Sequence, residues 1–296
     1  MGKLVLIDGN AVLHRAFHAL PPLTTRRGEP INAVYGLVSM LLRVITDLKP
    51  THIAVCFDEK EKTFRHLALE TYQAQRPPTH EDLSSQFAKA RNFLGAAKIP
   101  VYSKIGYEAD DVIGTLATRA DGNVVIITGD RDQLQLVNDK IKLYMPIAGL
   151  ANAKLFGEAE TIERMGVPPS QIADLKSLMG DASDNYFGVP GIGPKTAISL
   201  LSKYKSKTEI YKHLKELPEN LREKLENGRK SADLSYKLAT IVRNVPVEIN
   251  FDKMTDWKID SREVLDLFQE FGFKTLTERV KSVSKKLDVE KQMSLL

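Results

Sequence analysis

Four short apolar runs constrain the fold of this chain most: LVLI at 4–7, HIAVCF at 52–57, VVIIT at 124–128 and IKLYM at 141–145. They are rich in β-branched residues and read as buried strands. Helical patterns at about 33–48, 84–97 and 109–120 separate them. Strands alternating with helices predict an α/β fold with a mainly parallel central sheet and flanking helices. Ligands in such folds sit outside the carboxyl ends of the strands. Three runs end near an acid there: Asp8, Asp58 and Asp130.

Beyond about residue 160 the character changes. Strand runs almost vanish, and short helical patterns punctuated by Gly, Pro and Asn take over. The expected organisation is an α/β core over 1–165, a small helical subdomain over 166–260, two C-terminal helices within 261–290 that pack on the core, and a tail at 291–296. The polar, Pro-interrupted segment 68–83 joins the second strand to the next helix, and its length suits a functional loop or lid.

Composition sets few further bounds. The 296 residues, 43% of them hydrophobic, allow one or two domains with a sizeable core. The net charge of +4 permits a nucleic-acid partner without demanding one. Cys56 is the single cysteine, so no internal disulfide and no Cys/His zinc pattern is expected. The N-terminal apolar run stops at Asp8, too short for a signal peptide, and no stretch approaches the ~18 apolar residues of a membrane span. The expectation is a cytoplasmic protein without a membrane partner.

The acids carry the chemistry. GYEADDVIGTLA at 106–117 places Glu108, Asp110 and Asp111 within four positions, directly before a helical run. Asp132 follows Asp130, and GDASDN supplies Asp181 and Asp184. Singly, each has a plain explanation as a turn residue or helix cap. Together with Asp8 and Asp58 they would crowd one cleft, where like charges repel or force protonation. Divalent cations remove that conflict, and all-oxygen ligation selects Mg²⁺ or Mn²⁺ over Zn²⁺. Two such ions roughly 4 Å apart form a clamp for in-line phosphodiester hydrolysis.

The second half supplies a basic counterpart. GVPGIGPKTA at 188–197 reads as glycine-bounded turns opening a helix, the pattern of a helix–hairpin–helix that holds a phosphate on backbone amides. A plain interhelical turn is the alternative. Residues 195–237 contain eleven Lys/Arg against six acids, so the basic excess sits behind this hairpin. A basic surface beside an acidic metal cleft suits a nuclease: one tracks the phosphate backbone and the other cuts it.

LIDGNAVLHRAFHAL, FDEKEKTFRH, YEADDVIGTLA, TGDRDQLQLV, GDASDNYFGVPGIGPKTA and LSYKLATIVRNVPVEI together resemble the 5′ nuclease domain of bacterial DNA polymerase I and the stand-alone 5′ nucleases of the flap endonuclease family. The resemblance runs from residue 3 to about 286. It implies a PIN-like core and a structure-specific 5′–3′ exonuclease and flap endonuclease acting on branched or 5′-ended duplex DNA, including RNA-primed fragments. Asp8, Asp58, Glu108 and Asp110 correspond to its first-metal group, and Asp111, Asp130, Asp132 and Asp184 to the second, with Asp181 at a further acidic position. Segment 68–83 corresponds to a helical arch over the 5′ strand, with Arg65 and Arg76 facing substrate phosphate and Tyr72 on the DNA. Gly188, Gly191, Gly193, Lys195 and Thr196 correspond to the duplex-binding hairpin, which in the family often carries K⁺. The resemblance implies a monomer, either stand-alone or a polymerase domain.

One position departs. The family's arch reads Tyr-Lys-Ala-x-Arg; here it is Tyr72-Gln73-Ala74-Gln75-Arg76. Gln73 therefore lacks the charge that would polarise the scissile phosphate, which leaves a flap- or junction-binding protein with weak cleavage as one alternative. An RNA-directed nuclease of related fold is another. The extreme C-terminus also resembles a sliding-clamp docking peptide, with Gln292, Leu295 and Leu296 as its contacts.

Overall fold

The computed structural model describes residues 2–148 and 152–293. Strand β1 (Leu4–Asp8) leads into helices α1 (Gly9–Ala19) and α2 (Asn32–Leu48). Strand β2 (His52–Cys56) is followed by α3 (Phe64–Ala68) and α4 (Glu81–Ala96), then by β3 (Val101–Tyr102) and α5 (Ala109–Arg119). Strands β4 (Val124–Ile127), β5 (Ile141–Ala148) and β6 (Asn152–Phe156) complete the sheet.

The strand order is β3-β2-β1-β4-β5-β6, parallel throughout except for the antiparallel β5–β6 pair. Leu6 of β1 pairs with Ala54 on one side and Ile126 on the other. The chain moves outward from β1 in both directions, so the switch point lies between β1 and β4. A cleft opens at the carboxyl ends of such strands. The expected mainly parallel sheet with flanking helices is therefore present. The two-residue β3 and the antiparallel β6 were not expected.

Alternate residues of β1 face two separate cores. Leu4 and Leu6 pack with Val112, Ile113 and Leu116 of α5 and with the helical second half of the chain. Val5 and Ile7 pack against α2, α4 and the last two helices. Cys56 is fully buried in the first core, a small apolar side chain.

The second half is helical: α6 (Glu158–Met165), α7 (Ile172–Met179), α8 (Pro194–Tyr204), α9 (Lys207–Lys212), α10 (Glu219–Asn227) and α11 (Arg229–Ala239). Helices α12 (Arg262–Phe271) and α13 (Lys274–Met293) follow. No helix among the described residues is long and apolar enough to cross a membrane.

Two local expectations are corrected. The segment 68–83 is not a helical arch: α3 ends at Ala68, turns occupy 70–75, and α4 starts at Glu81. Gln73 sits in the left-handed region at φ 56°, and Pro77-Pro78 bias the residues before them away from helix. At the other end, α13 continues through Gln292 to Met293, so 291–293 is not a tail. Gln292 is exposed; Leu295 and Leu296 lie outside the described residues.

Candidate metal and nucleic-acid site

Asp8 ends β1 and caps α1: its Oδ1 accepts from the Ala11 amide at 2.9 Å. Its Oδ2 accepts from Thr128 Oγ1 at 2.9 Å, just past β4. Asp58, two residues past β2, accepts from the Ala109 amide at the start of α5 at 2.7 Å. That contact ties the second strand's end to the helix that carries Glu108 and Asp110. Asp130 accepts from the Asp132 amide at 2.8 Å, which fixes the turn after β4.

These ends line a cavity of ≈ 610 Å³. Seven of the nine expected acids contribute to its wall: Asp8, Asp58, Glu108, Asp110, Asp130, Asp132 and Asp184. Asp132 and Asp184 also approach Asp181, with one carboxylate oxygen of each within 4.8 Å of the others. Burial raises Asp8 to about 7, aided by Asp58 and Asp130. Burial raises Glu108 to about 7 against the pull of Arg65, and raises Asp132 to about 7 with help from Asp130. Asp110 is driven well above its ordinary value by burial, Asp130 and Asp8. A crowded all-carboxylate donor set that resists ionisation alone fits hard divalent cations. The chain therefore holds a clustered acidic site capable of coordinating divalent metal ions.

Asp111 stands apart. Adjacent helical residues point about 100° apart, so Asp110 faces the cleft while Asp111 faces inward. Its carboxylate is fully buried and accepts from Arg65 Nη1 at 2.7 Å and Nη2 at 2.9 Å. It also accepts from the Val242 and Glu108 amides. Arg65 in turn donates to the Leu238 and Thr240 carbonyls and is 2% exposed. The expected metal role of Asp111 and phosphate-facing role of Arg65 give way to a buried ion pair that locks α5 to α3 and the end of α11. Of the two, only Arg65 reaches the cleft wall, 3.3 Å from Glu108 Oε2.

Tyr72 likewise is not presented to solvent. It is 4% exposed, and its hydroxyl lies 3.4 Å from both Glu108 and Asp184. Gln73 Nε2 and Arg76 Nη2 converge on one oxygen, Asp184 Oδ1, at 3.1 and 2.6 Å. The turn thus brings Gln73 and Arg76 together without a helix.

Three contributors escaped sequence reasoning. Lys176 of α7 bridges Asp132 and Asp181. Burial would push Asp181 up, but Lys176 outweighs it and holds Asp181 below its ordinary value. Gln133, fully buried, donates from Nε2 to Asp110 at 2.6 Å and Asp8 at 3.3 Å, while its Oε1 has no partner. Thr128 anchors Asp8. Gln133 and Thr128 flank the acids in TGDRDQ, and that adjacency was their only signal.

The hairpin follows α7. Val189 N donates to Leu178 O at 2.8 Å, and Gly191 takes φ 77°. Gly193 caps α8 with Pro194 in its first turn. Gly188 is buried, whereas Gly191, Gly193 and Lys195 are exposed and Thr196 half-buried. The described hairpin therefore presents glycine backbone and a helix N-terminus outward, beside Lys195.

The family described as 5′-3′ exonuclease, N-terminal resolvase-like domain, matches residues 3–166. The chain belongs to the 5′–3′ exonuclease family. The companion description, 5′-3′ exonuclease, C-terminal SAM fold, matches residues 167–262 of this exonuclease-family chain. DNA polymerase I of Bacillus caldotenax is 42% identical over 286 residues, covering 95% of this chain and 33% of that protein. DNA polymerase I of Bacillus subtilis is 38% identical over 282 residues, covering 94% of this chain and 32% of that protein. The chain thus spans about a third of the length of these relatives.

Solved structures share the fold of this family member. A bacteriophage T5 flap endonuclease, described as a pseudo-enzyme-product complex with DNA and metal ions, superposes with a TM-score of 0.65 at 21% identity, over 96% of this chain and 98% of that one. Flap endonuclease-1 of Methanococcus jannaschii gives 0.61 at 16% identity, over 95% and 91%.

Proposed function

We propose that this chain is a metal-dependent, structure-specific 5′–3′ exonuclease and 5′ flap endonuclease acting on DNA in primer and flap removal. The observation that carries the reading is the convergence of seven carboxylates, from three strand ends, α5 and the loop after α7, on one cavity, the last of them, Asp184, four residues before the glycine hairpin begins at Gly188. A flap endonuclease of the same fold solved with DNA and metal ions supports a DNA partner, which this reading takes to be branched or 5′-ended.

Asp8, Asp58, Glu108 and Asp110 form the first group of ligands; Asp130, Asp132, Asp181 and Asp184 form the second. These residues would hold Mg²⁺ or Mn²⁺, which would supply charge neutralisation at the scissile phosphate and a more acidic attacking water. Gln133 bridges Asp8 and Asp110 by donating to both, which holds their oxygens in place. Lys176 and Arg76 neutralise Asp132, Asp181 and Asp184, and metal loading competes with them for these oxygens. Gln73 hydrogen-bonds without adding charge. The exposed hairpin residues Gly191, Gly193 and Lys195 would bind duplex phosphate, and the hairpin would hold K⁺ when that ion is bound. A monomer in the cytosol, docking on the sliding clamp through Gln292, Leu295 and Leu296, completes the reading. Loss of clamp pull-down on removing 291–296 is the expected result for that last contact.

The test is incubation of the purified chain with a 5′-labelled flap DNA, and with the same sequence as single-stranded RNA, in Mg²⁺ or EDTA. Mg²⁺-dependent cleavage of the DNA at its junction is expected. Asp130→Asn and Asp184→Asn should abolish it and leave flap binding intact. Cleavage of the RNA alone would overturn the reading, and binding without any cleavage would favour a junction-binding protein.

A further inference from the structure

Phe187 is 77% exposed, between Tyr186 at 3% and a buried Gly188. Its backbone is anchored on both sides. The Phe187 carbonyl accepts from Ser231 Oγ at 2.5 Å and Ser235 Oγ at 2.7 Å, both on α11. At Gly188 a Cβ would stand 2.3 Å from the Leu178 carbonyl oxygen and 2.4 Å from the Gly180 nitrogen, so the backbone there is in close contact with α7's end. An aromatic ring is thus held in solvent from a fixed support, where burying it would have been favourable.

The ring borders a cavity of ≈ 410 Å³ whose other walls include Met179, Ile192, Gln75 and Asn185. Met179 is itself 38% exposed. Gln75 Nε2 donates to Asn185 Oδ1 at 3.1 Å, and Asn185 Nδ2 donates to Thr71 O at 2.7 Å. Each amide keeps donor and acceptor capacity beyond those bonds. The cavity therefore offers flat apolar surface with hydrogen-bonding groups at its side. A nucleobase has that combination: π-faces above and below, polar edges around.

Position selects which base. Asp184 of the acid cleft lies three residues before Phe187, and hairpin Gly191 lies four residues after it. The Lys224 ammonium approaches to 3.4 Å of where a Gly191 Cβ would be, which puts a cation beside the hairpin. The ring shares its cavity with hairpin residues Gly188, Gly191 and Ile192 and with Asp181, whose carboxylate approaches Asp132 and Asp184 of the acid group. Bases inside a duplex are covered by their neighbours, and an end pair offers one face; an unpaired base offers both faces and its polar edges, which the ring and the Gln75 and Asn185 amides can meet together.

We propose that Phe187, with Met179, Gln75 and Asn185, forms a stacking site for one unpaired nucleobase at the single-strand/double-strand junction. This rests on the reading of the cleft as a DNA 5′ nuclease site. The ring fixes the junction relative to the acids and so contributes to where the strand is cut.

The experiment uses the full chain and flap DNAs carrying 2-aminopurine at successive positions through the junction, with Ca²⁺ in place of Mg²⁺. Fluorescence should be quenched on binding at one unpaired position. Phe187→Ala should abolish that quenching and weaken flap binding about 5- to 150-fold, while affinity for blunt duplex is unchanged. Phe187→Trp should restore both. In Mg²⁺, Phe187→Ala should spread the cut over neighbouring positions. A wild-type chain that binds and cuts flaps, with Phe187→Ala giving the same quenching and affinity, would overturn this inference alone. Equal loss on flap and blunt duplex would also overturn it. Failure of the wild type to bind flap DNA at all would overturn the nuclease reading along with it.

Discussion

The Arg65 guanidinium and the Asp111 carboxylate meet through two parallel hydrogen bonds of 2.7 and 2.9 Å in the interior of the protein. A buried pair of this kind loses far more from removal of one partner than it gains overall, because the survivor is left charged and dry. Asp111→Ala should therefore cost about 3–5 kcal/mol of stability. Chemical denaturation of the metal-free protein checks this. Asp130→Asn, which relieves repulsion, should leave stability unchanged or higher. Undiminished stability with weakened metal affinity in Asp111→Ala would return Asp111 to the metal group.

Stability of the metal-free chain should fall with pH, while the stabilisation that metal adds should grow. Burial, first of all, lifts Asp8, Glu108 and Asp132 from ordinary carboxyl values to about 7 in the metal-free chain. Between those values the folded chain binds more protons than the unfolded one, so stability falls as pH rises through the window. Divalent ions bind the deprotonated form, so their stabilisation grows over the same range. In EDTA the melting temperature should drop from pH 5 to 7.5; in millimolar Mg²⁺ the gain over EDTA should increase with pH. A melting temperature in EDTA that climbs over that range would contradict the placement of these acids.

Gln73 and Arg76 share Asp184 Oδ1, but only Arg76 brings charge. A charge-assisted contact is about twice as strong as a neutral one, and a transition-state contact of this sort commonly governs on the order of 10²–10³ in rate. Gln73→Lys should raise single-turnover flap cleavage at least about tenfold with little change in affinity, if Arg76 compensates only in part. Rates measured in saturating Mg²⁺ decide it: equal rates mean that Arg76 already supplies the charge.

The hairpin glycines are not equivalent. A Cβ at Gly188 would collide with backbone atoms of α7 and Gly180, which cannot swing away as side-chain ends can. Gly188→Ala should cost about 1–3 kcal/mol by overpacking and weaken duplex binding by displacing the turn. At Gly193 nothing lies within 4 Å of that position. Gly193→Ala should stay within about 0.5 kcal/mol of the parent. Urea unfolding of the two variants makes the comparison.

Much of this was legible because burial on both faces leaves a strong apolar signal. LVLI and VVII read as central strands, and their terminal acids marked the cleft. NAKLF at the sheet edge lacks that signal: it mixes Asn and Lys with apolar residues and takes its strand form from pairing with β5. The fate of Asp111 was hidden for a different reason. Its neighbour Asp110 has the same chemistry, and only the helical phase and an arginine 46 residues away separate a cleft acid from a core acid. Lys176 was equally silent, since nothing in LKSLMG tells that its ammonium reaches Asp132 as well as Asp181. Segment 68–83 departs from the helix that its place in the family implies because Pro77 and Pro78 disfavour helix before them and Gln73 takes a left-handed turn.

The central position of β1 carries a consequence for how the protein is made. Its neighbours on the two sides, β2 and β4, are separated from it by roughly fifty and one hundred and twenty residues of chain. The sheet's central strand therefore waits for its second edge until β4 has been made, a long-range pairing that closes slowly. Asp184 leaves later still. A growing chain holds Asp8 and Asp58 long before it holds the complete acid group, so the centre comes into being only after α7 and the loop that carries Asp184 have been made.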